Sequence, residues 1–357
     1  MRRLVVALDY GTSNSGAAYA IVDDEDDDKR SEDIEVVKDW PRAEVGRDNS
    51  DKVPSESSYD KGGRLIGHGF EASRHDAAPL QWVKLLLEPD SFREHSKRTS
   101  RVWHSYYVVG SRELPKRPVD VVGEYLRWLW KTVRDTIKEK ESEDEDSDLF
   151  AAENLTVVLT VPASWSAPAK QRMATAAFLA GIPEQCLKLL AEPEAAAVYG
   201  LQKKARQRAI ADGDCVIICD AGGGTVDAVT YQVRTRSPLS LDQITVSKGD
   251  FCGSSFVNKE FKNQLLSILG DKYHALTEQA KNKIDETFER EIKRAYNPFE
   301  ESADVPHYIP VDGLKDDVGL GIRNGRMLVE DSVIFAAFDS VMSEVRDPVK
   351  LHEHDQS

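Results

Sequence analysis

Short apolar runs alternate along this chain with longer stretches of helical spacing. Residues 4–8 read as a buried strand and 17–22 as its hairpin partner. The polar stretch 40–60, with Pro41 and Pro54, reads as extended loop. Apolar spacing over 76–87, closed by Pro89, predicts a helix. Val122, Tyr125, Leu126, Leu129, Trp130, Val133 and Ile137 recur near the 3.6-residue period and predict a long amphipathic helix over 119–140. Residues 155–161 read as a buried strand stopped by Pro162, and 167–180 as an alanine-rich helix ended by Gly181 and Pro183. Residues 187–191 predict a short strand, after which Pro193 opens a helix. A second hairpin follows, with strands at 214–220 and 226–233, and 243–248 continues its sheet. Helices are expected at 254–269 and 276–295, short strands at 308–311 and 327–329, and a last helix at 332–345.

Strands alternating with helices give an α/β architecture. At 357 residues the chain exceeds the usual single core, so two lobes are expected. A strand, an Asp-x-Gly turn with a hydroxyl residue and a returning strand occur once in each half. That echo points to two related lobes with a ligand between them.

Charge narrows the choice of ligand. The net charge of −15 argues against nonspecific nucleic-acid binding, which needs basic surface to neutralise phosphates, and leaves room for one local cationic pocket. Much of the acidity sits in two dense segments, 23–30 and 141–148, expected to be exposed inserts. The four cysteines, Cys186, Cys215, Cys219 and Cys252, show no zinc spacing and are expected to be buried free thiols of a reducing compartment. The amino-terminal apolar run stops at Asp9, too short for a signal peptide, and no stretch reaches transmembrane length. These features predict a cytoplasmic or nuclear protein that is neither secreted nor membrane-bound.

The chemistry is concentrated in the two turns. Consecutive backbone N–H groups in a glycine-rich turn form a concave anion site, and glycine lets the backbone approach phosphates closely. In the first, Gly11 makes the turn and Thr12, Ser13 and Asn14 offer N–H, hydroxyl and amide contacts. In the second, Gly222, Gly223 and Gly224 do so, with Thr225 supplying a hydroxyl. Asp9 and Asp220 stand where they could hold magnesium, largely through water. Asp227 could orient a water or support the loop. Neither the Walker A pattern nor a G-x-G-x-x-G turn is present, so this is neither a P-loop nor a Rossmann site.

The motifs LVVALDYGTSNS, LTVPASW, LLAEPEAAAVYGL and VIICDAGGGTVD occur in that order. Together they resemble the ATPase domain of the seventy-kilodalton heat-shock chaperone family, within the actin-like ATPase superfamily. The resemblance covers roughly residues 4–270, and segments such as EPEAAA and GDFCGSS suggest a divergent branch. It implies a two-lobed fold with ribonuclease H-like lobes, each a mixed five-stranded sheet flanked by helices. It implies ATP or ADP with Mg2+ as ligands, Asp9 and Asp220 as the magnesium-associated aspartates, and the two glycine turns as phosphate loops. Lys84, Glu192, Asp227 and Thr225 become the catalytic set, with Lys84 at the γ-phosphate and Glu192 near the attacking water. Pro162 and Arg172 match a proline and an arginine of an interlobe switch. As residues alone, Lys84 also reads as a snorkelling surface lysine, Glu192 as a cap to the helix at Pro193, and Arg172 as a helix-surface arginine. Glu289 and Lys293 have the spacing of an exposed helix pair and could instead line an adenosine pocket.

On this reading the first lobe spans 1–205, with an inserted subdomain at about 40–115, and the second spans 206–357, with a helical subdomain at about 250–325. No GG-x-S-type adenosine segment and no peptide-binding domain follow, so the second lobe is expected to be incomplete and the chain truncated. The leading expectation is a slow ATP hydrolase acting as a conformational switch. The alternative is a nucleotide-binding or inert interaction protein without turnover, and a small-molecule kinase ranks last for want of a sugar-kinase signature. Cochaperones and other protein partners are not named by the sequence.

Overall fold

In the computed structural model, which describes residues 2–23, 34–41, 50–74, 79–88, 108, 109, 111, 114–141, 148–206, 209–250, 252–297 and 306–354, the first strand shows why the apolar run ends where it does. Strand β1 (Arg2–Tyr10) buries Leu4, Val6, Leu8 and Tyr10 on one face and leaves Asp9 on the other. β2 (Asn14–Asp23) returns antiparallel, pairing Asp9 with Gly16. On its other side β1 pairs in parallel with β7 (Leu155–Val161), which pairs in parallel with β8 (Leu187–Ala191). With β3 (Glu35–Val36) the order is β3-β2-β1-β7-β8, a mixed sheet, and β4 (Val53–Pro54) adds to β2. With the helices packed on it, this sheet makes a mixed α/β architecture. Both acidic inserts lie outside the described residues, apart from their edges.

Helix α1 (Pro118–Glu141) covers the sheet with the face the sequence predicts: Val122, Tyr125, Leu126, Leu129, Trp130, Val133 and Ile137 are all buried. Each such side chain contributes about 1.5–3 kcal/mol. Helix α2 (Ala167–Leu179) packs beside α1, with the Ser166 hydroxyl accepting from the Ala169 N–H at its start. Gly123 of α1 lets the helices approach closely: a Cβ there would stand 3.0 Å from the Leu179 Cβ of α2.

The polar stretch 40–60 is not all loop. It contributes β4 and β5 (Ser57–Tyr59), which pairs with β6 (Leu65–His68). Three serines there are buried because each hydroxyl has a partner: Ser55 with Ser15 at 2.8 Å, Ser57 with His68 Nδ1 at 2.9 Å, and Ser58 with the Ala72 carbonyl at 2.5 Å. Hydropathy alone scores such satisfied hydroxyls as loop.

His68 is 4 % exposed, its ring against Tyr125 and Trp128. Burial pushes its pKa down to about 4, against a lesser upward pull from Glu124. The folded state therefore holds it neutral, while the unfolded chain titrates near its ordinary value of 6.5. Its stabilising contribution is full above that value and is lost as pH falls through the folded value, up to about 3 kcal/mol. Urea titrations at about pH 7 and about pH 4.5 should show this loss in the wild type and not in His68→Gln. Equal losses in both proteins would refute it.

A second sheet begins with β9 (Cys215–Ala221), antiparallel to β10 (Val226–Arg236), which also pairs with β11 (Leu239–Gln243) and β12 (Lys248–Asp250). The expected strand at 243–248 is instead the link between β11 and β12. Helix α3 (Glu192–Arg206) covers one face, with Ala197, Leu201 and Ala205 against Val229, Tyr231 and Val233. Val216 and Ile218 pack on that side, so the alternation of β9 turns Cys215 and Cys219 to the opposite face, where both are exposed. Only Cys186 and Cys252 are buried, and none of the four is in a disulfide.

The chain divides into two compact units, Met1–Phe251 with His352–Ser357, and Cys252–Leu351. The three sheets described so far belong to the first. In the second, helix α4 (Ser255–Leu269) buries Val257, Phe261, Leu265 and Leu269, and Phe261 stacks on Phe288 at 3.8 Å. A short α5 (Asp271–Ala275) precedes α6 (Glu278–Thr287), which widens through a π turn at Phe288–Ile292 into α7 (Lys293–Ala295). β13 (His307–Pro310), β15 (Arg326–Val329) and β14 (Ile322–Arg323) form an antiparallel sheet in that order. Asn324 and Gly325, with φ of 50° and 70°, close the β14–β15 hairpin, a two-residue turn the Asn-Gly pair announces. α8 (Asp331–His354) packs Ile334, Ala337 and Val341 into the same core.

Candidate functional site

The two glycine turns meet. A Cβ placed on Gly223 would strike the Ser13 side chain, and one on Gly224 would lie 2.6 Å from Thr12 Cγ2. A Cβ on Gly11 would collide with the Asn14 carbonyl. None of Gly11, Gly222, Gly223 and Gly224 has positive φ, so the residues are glycine for room rather than for backbone freedom. The second turn is closed by the Gly222 N–H donating to the Thr225 carbonyl at 2.9 Å. Thr12 is buried, Ser13 sits within the first turn, and Asn14 begins β2. The first turn is braced from behind, where the Ser55 N–H donates to the Ser13 carbonyl at 2.9 Å.

Four carboxylates surround these turns. Asp220 and Asp227 are direct cross-strand partners in the β9–β10 hairpin. Like charges placed so are unfavourable. Burial, then Asp227 and Asp9, push the Asp220 carboxyl above the ordinary range. Asp227 is 2 % exposed, and burial, then Glu192, push it up against the opposing Ser164 hydrogen bonds. The Ser164 N–H donates to Asp227 Oδ1 at 3.4 Å. Opposite Asp227 on β12 stands Gly249, where a Cβ would lie 2.5 Å from Asp227 Oδ1. Asp9 differs: burial pushes its carboxyl up, but Lys52, Lys84 and Thr160 outweigh it and hold it below the ordinary value.

Lys84 is not a surface lysine. It lies in a 3-10 turn at Val83–Leu87, not in a longer helix over the described part of 76–87, and its side chain is 2 % exposed. Its Nζ donates to Glu192 Oε1 at 2.5 Å and sits 5.7 Å from the centre of the Trp165 ring. Glu192 opens α3, and burial pushes its carboxyl up against the pull of Lys84. The 3-10 turn is fastened to α2 at its far end. Arg172 Nη1 donates to the Leu87 carbonyl at 2.6 Å, and the Ser166 N–H to Glu88 Oε2 at 2.9 Å. Arg172 is thus a tie between elements rather than a free surface residue. Pro162 ends β7, immediately before the segment carrying Ser164.

The geometry thus brings Asp9, Thr12, Ser13, Lys84, Glu192, Asp220, Gly222 to Thr225 and Asp227 into one region of the first unit. Glu289 and Lys293 belong to the second unit. There Lys293 Nζ bonds Glu289 Oε2 at 2.8 Å and Asn258 Oδ1 at 2.9 Å, so the pair is a three-residue cluster. Three polar neighbours of the first region escape the sequence reading: Lys52, Thr160 and Ser164. Thr160 donates to Asp9 Oδ1 at 3.0 Å, and the β1–β7 register of Leu8 with Leu159 would place it there.

The donor set suits a hydrated hard cation beside a phosphate chain. Among the described residues no three His, Cys, Asp or Glu side chains converge as a metal cage. Two carboxylates, Asp9 and Asp220, match magnesium, which keeps several waters and takes its remaining ligands from phosphate. Among the described residues, no helix is long and apolar enough to cross a membrane.

A family model described as Hsp70 protein matches residues 110–235. The chain is 26 % identical over 325 residues to heat shock 70 kDa protein 12A of Mus musculus, covering 76 % of this chain and 46 % of that protein. It is 25 % identical over 332 residues to heat shock 70 kDa protein 12B of Homo sapiens, with the same coverage of 76 % and 46 %. It is 26 % identical over 308 residues to a chaperone protein HscA homolog of Acinetobacter baumannii (strain SDF), covering 82 % of this chain and 44 % of that one. The chain therefore spans about half the length of the curated relatives it matches.

Proposed function

We propose that this chain, a divergent member of the Hsp70 family with the actin-like ATPase fold, binds ATP with Mg2+ at its two glycine turns and hydrolyses it slowly as a conformational switch. The observation that carries the reading is the buried Lys84–Glu192 pair beside two abutting glycine turns and three further acids. The turns would cradle the phosphates through backbone N–H groups and the hydroxyls of Thr12, Ser13 and Thr225. Asp9 and Asp220 would hold the hydrated cation, which when bound neutralises charge on the phosphate chain. Lys84 would present its ammonium to the γ-phosphate. Glu192 and Asp227, both raised in pKa, would orient water for in-line attack and bias its proton. Catalysis of this kind rests on positioning and charge neutralisation. Contacts to the γ-phosphate, made before hydrolysis and lost after it, would shift the population between two arrangements of the turns.

Thermal unfolding with and without ATP·Mg, beside a phosphate-release assay, tests this. At a ligand concentration about 100 times Kd, stabilisation should reach about 2.7 kcal/mol. Release should stop in Asp227→Asn. A thermal shift without release above background would leave the binding-only reading, and no shift at all would remove ATP as the ligand.

A further inference from the structure

Lys52 lies in the polar stretch before β4, and its side chain is half-exposed. It reaches its target across a neighbouring strand. Gly16 on β2 is the direct partner of Asp9 on β1. The Lys52 stem runs over that glycine: a Cβ on Gly16 would stand 2.9 Å from Lys52 Cδ and 3.1 Å from Nζ. The ammonium ends in a hydrogen-bonded ion pair with Asp9 Oδ2, while Thr160 occupies Oδ1. β4 itself is pinned beside the first turn, with Ser15 opposite Val53, Asn14 opposite Pro54, and the Ser55 N–H on the Ser13 carbonyl. The origin of the Lys52 side chain is therefore fixed relative to the phosphate loop, and only its flexible stem is free.

This lysine is placed differently from Lys84. Lys84 is buried and held by Glu192. Lys52 is solvated, on a four-carbon stem with rotatable donors. Its ammonium and a divalent cation would compete for the same Asp9 oxygen.

We infer that Lys52 is a second phosphate-binding cation, a tethered charge that neutralises Asp9 in the absence of metal and swings onto the nucleotide's phosphates when Mg2+ takes its place. The inference rests on the proposed nucleotide site and adds to it a residue with two alternating partners. Two consequences follow from the competition. Removing the ammonium should strengthen divalent binding to the protein without nucleotide. It should also weaken nucleotide binding, most of all without metal, when Lys52 supplies charge that magnesium otherwise would.

The experiment uses the full chain as wild type, Lys52→Met and Lys52→Arg. Mn2+ affinity without nucleotide is read by electron paramagnetic resonance, and ATP and ADP affinity by calorimetry with Mg2+ and with EDTA. Lys52→Met is expected to bind Mn2+ several-fold more tightly and to lose about ten-fold in nucleotide affinity in EDTA, with a smaller loss in Mg2+. Lys52→Arg should keep most of the nucleotide affinity. The side chain is half-exposed, so an unchanged cooperative melt is expected for both variants. Wild-type nucleotide binding that Lys52→Met leaves unaltered under both conditions overturns the assignment of Lys52 alone. Absence of nucleotide binding in the wild type overturns the nucleotide site and the inference with it. Unchanged Mn2+ affinity overturns the competition at Asp9.

Discussion

Lys84→Met should abolish phosphate release and at the same time destabilise the fold by about 3 kcal/mol. The two losses have different causes. Catalytically, the variant removes the ammonium assigned to the γ-phosphate. Structurally, it leaves Glu192, whose side chain is 17 % exposed, beside Asp9 and Asp220 with no ion-pair partner. A broken buried pair is costly because the remaining charge stays desolvated. The cost is held down because the Glu192 carboxyl is already raised and can take up a proton. The double variant Lys84→Met/Glu192→Gln separates the effects. It removes the orphaned charge and should regain most of the stability in urea titrations, while phosphate release stays absent. Release at the wild-type rate in Lys84→Met would exclude Lys84 from the chemistry, whatever happens to stability.

Gly223→Val should eliminate the thermal shift induced by ATP·Mg while a cooperative transition persists at lower temperature. A valine there drives its Cβ into the Ser13 side chain, so the two turns must part or Ser13 must rotate away. Overpacking of this kind typically costs about 1–3 kcal/mol. Both adjustments disturb the groups assigned to the phosphates, so binding should suffer more than folding. Gly200→Ala is the matched control. That glycine lies within α3 with nothing within 4 Å of its added Cβ, and alanine there should stabilise by about 0.5–1 kcal/mol. An ATP shift retained in full by Gly223→Val would mean that the ligand does not enter between the turns.

Much of the first unit was legible because its elements are bounded by strong signals. The run ending at Asp9, the seven-residue α1 stripe and the Pro162, Gly181 and Pro193 punctuation locate β1, α1, β7, α2, β8 and α3 to within a residue or two. The triple glycine, too, lies in a crowded turn, although the crowding comes from Ser13 and Thr12 rather than from positive φ. What stayed hidden depends on partners distant in sequence. Ser55, between β4 and β5, and the serines of β5 are buried by hydroxyl bonds to Ser15, His68 and Ala72, which no local window contains. Cys215 and Cys219 sit in an apolar run, yet α3 covers only one face of that strand. Lys52 could be found only once β4 was known to pair with β2 at Asn14 and Ser15, which carries the preceding lysine over Gly16. Trp82 explains another miss. It takes a left-handed conformation, φ 61°, rare for a bulky residue, and so breaks the expected helix into a 3-10 turn that starts afresh at Val83.

The fastening of that turn to α2 bears on how such chains diverge. Arg172 grips position 87 through its carbonyl oxygen, an atom every amino acid carries. The grip is blind to the letter written at 87, provided the side chain is small and oily enough for its pocket. Selection can therefore rewrite the neighbours of Lys84 while the lysine keeps its station against Glu192.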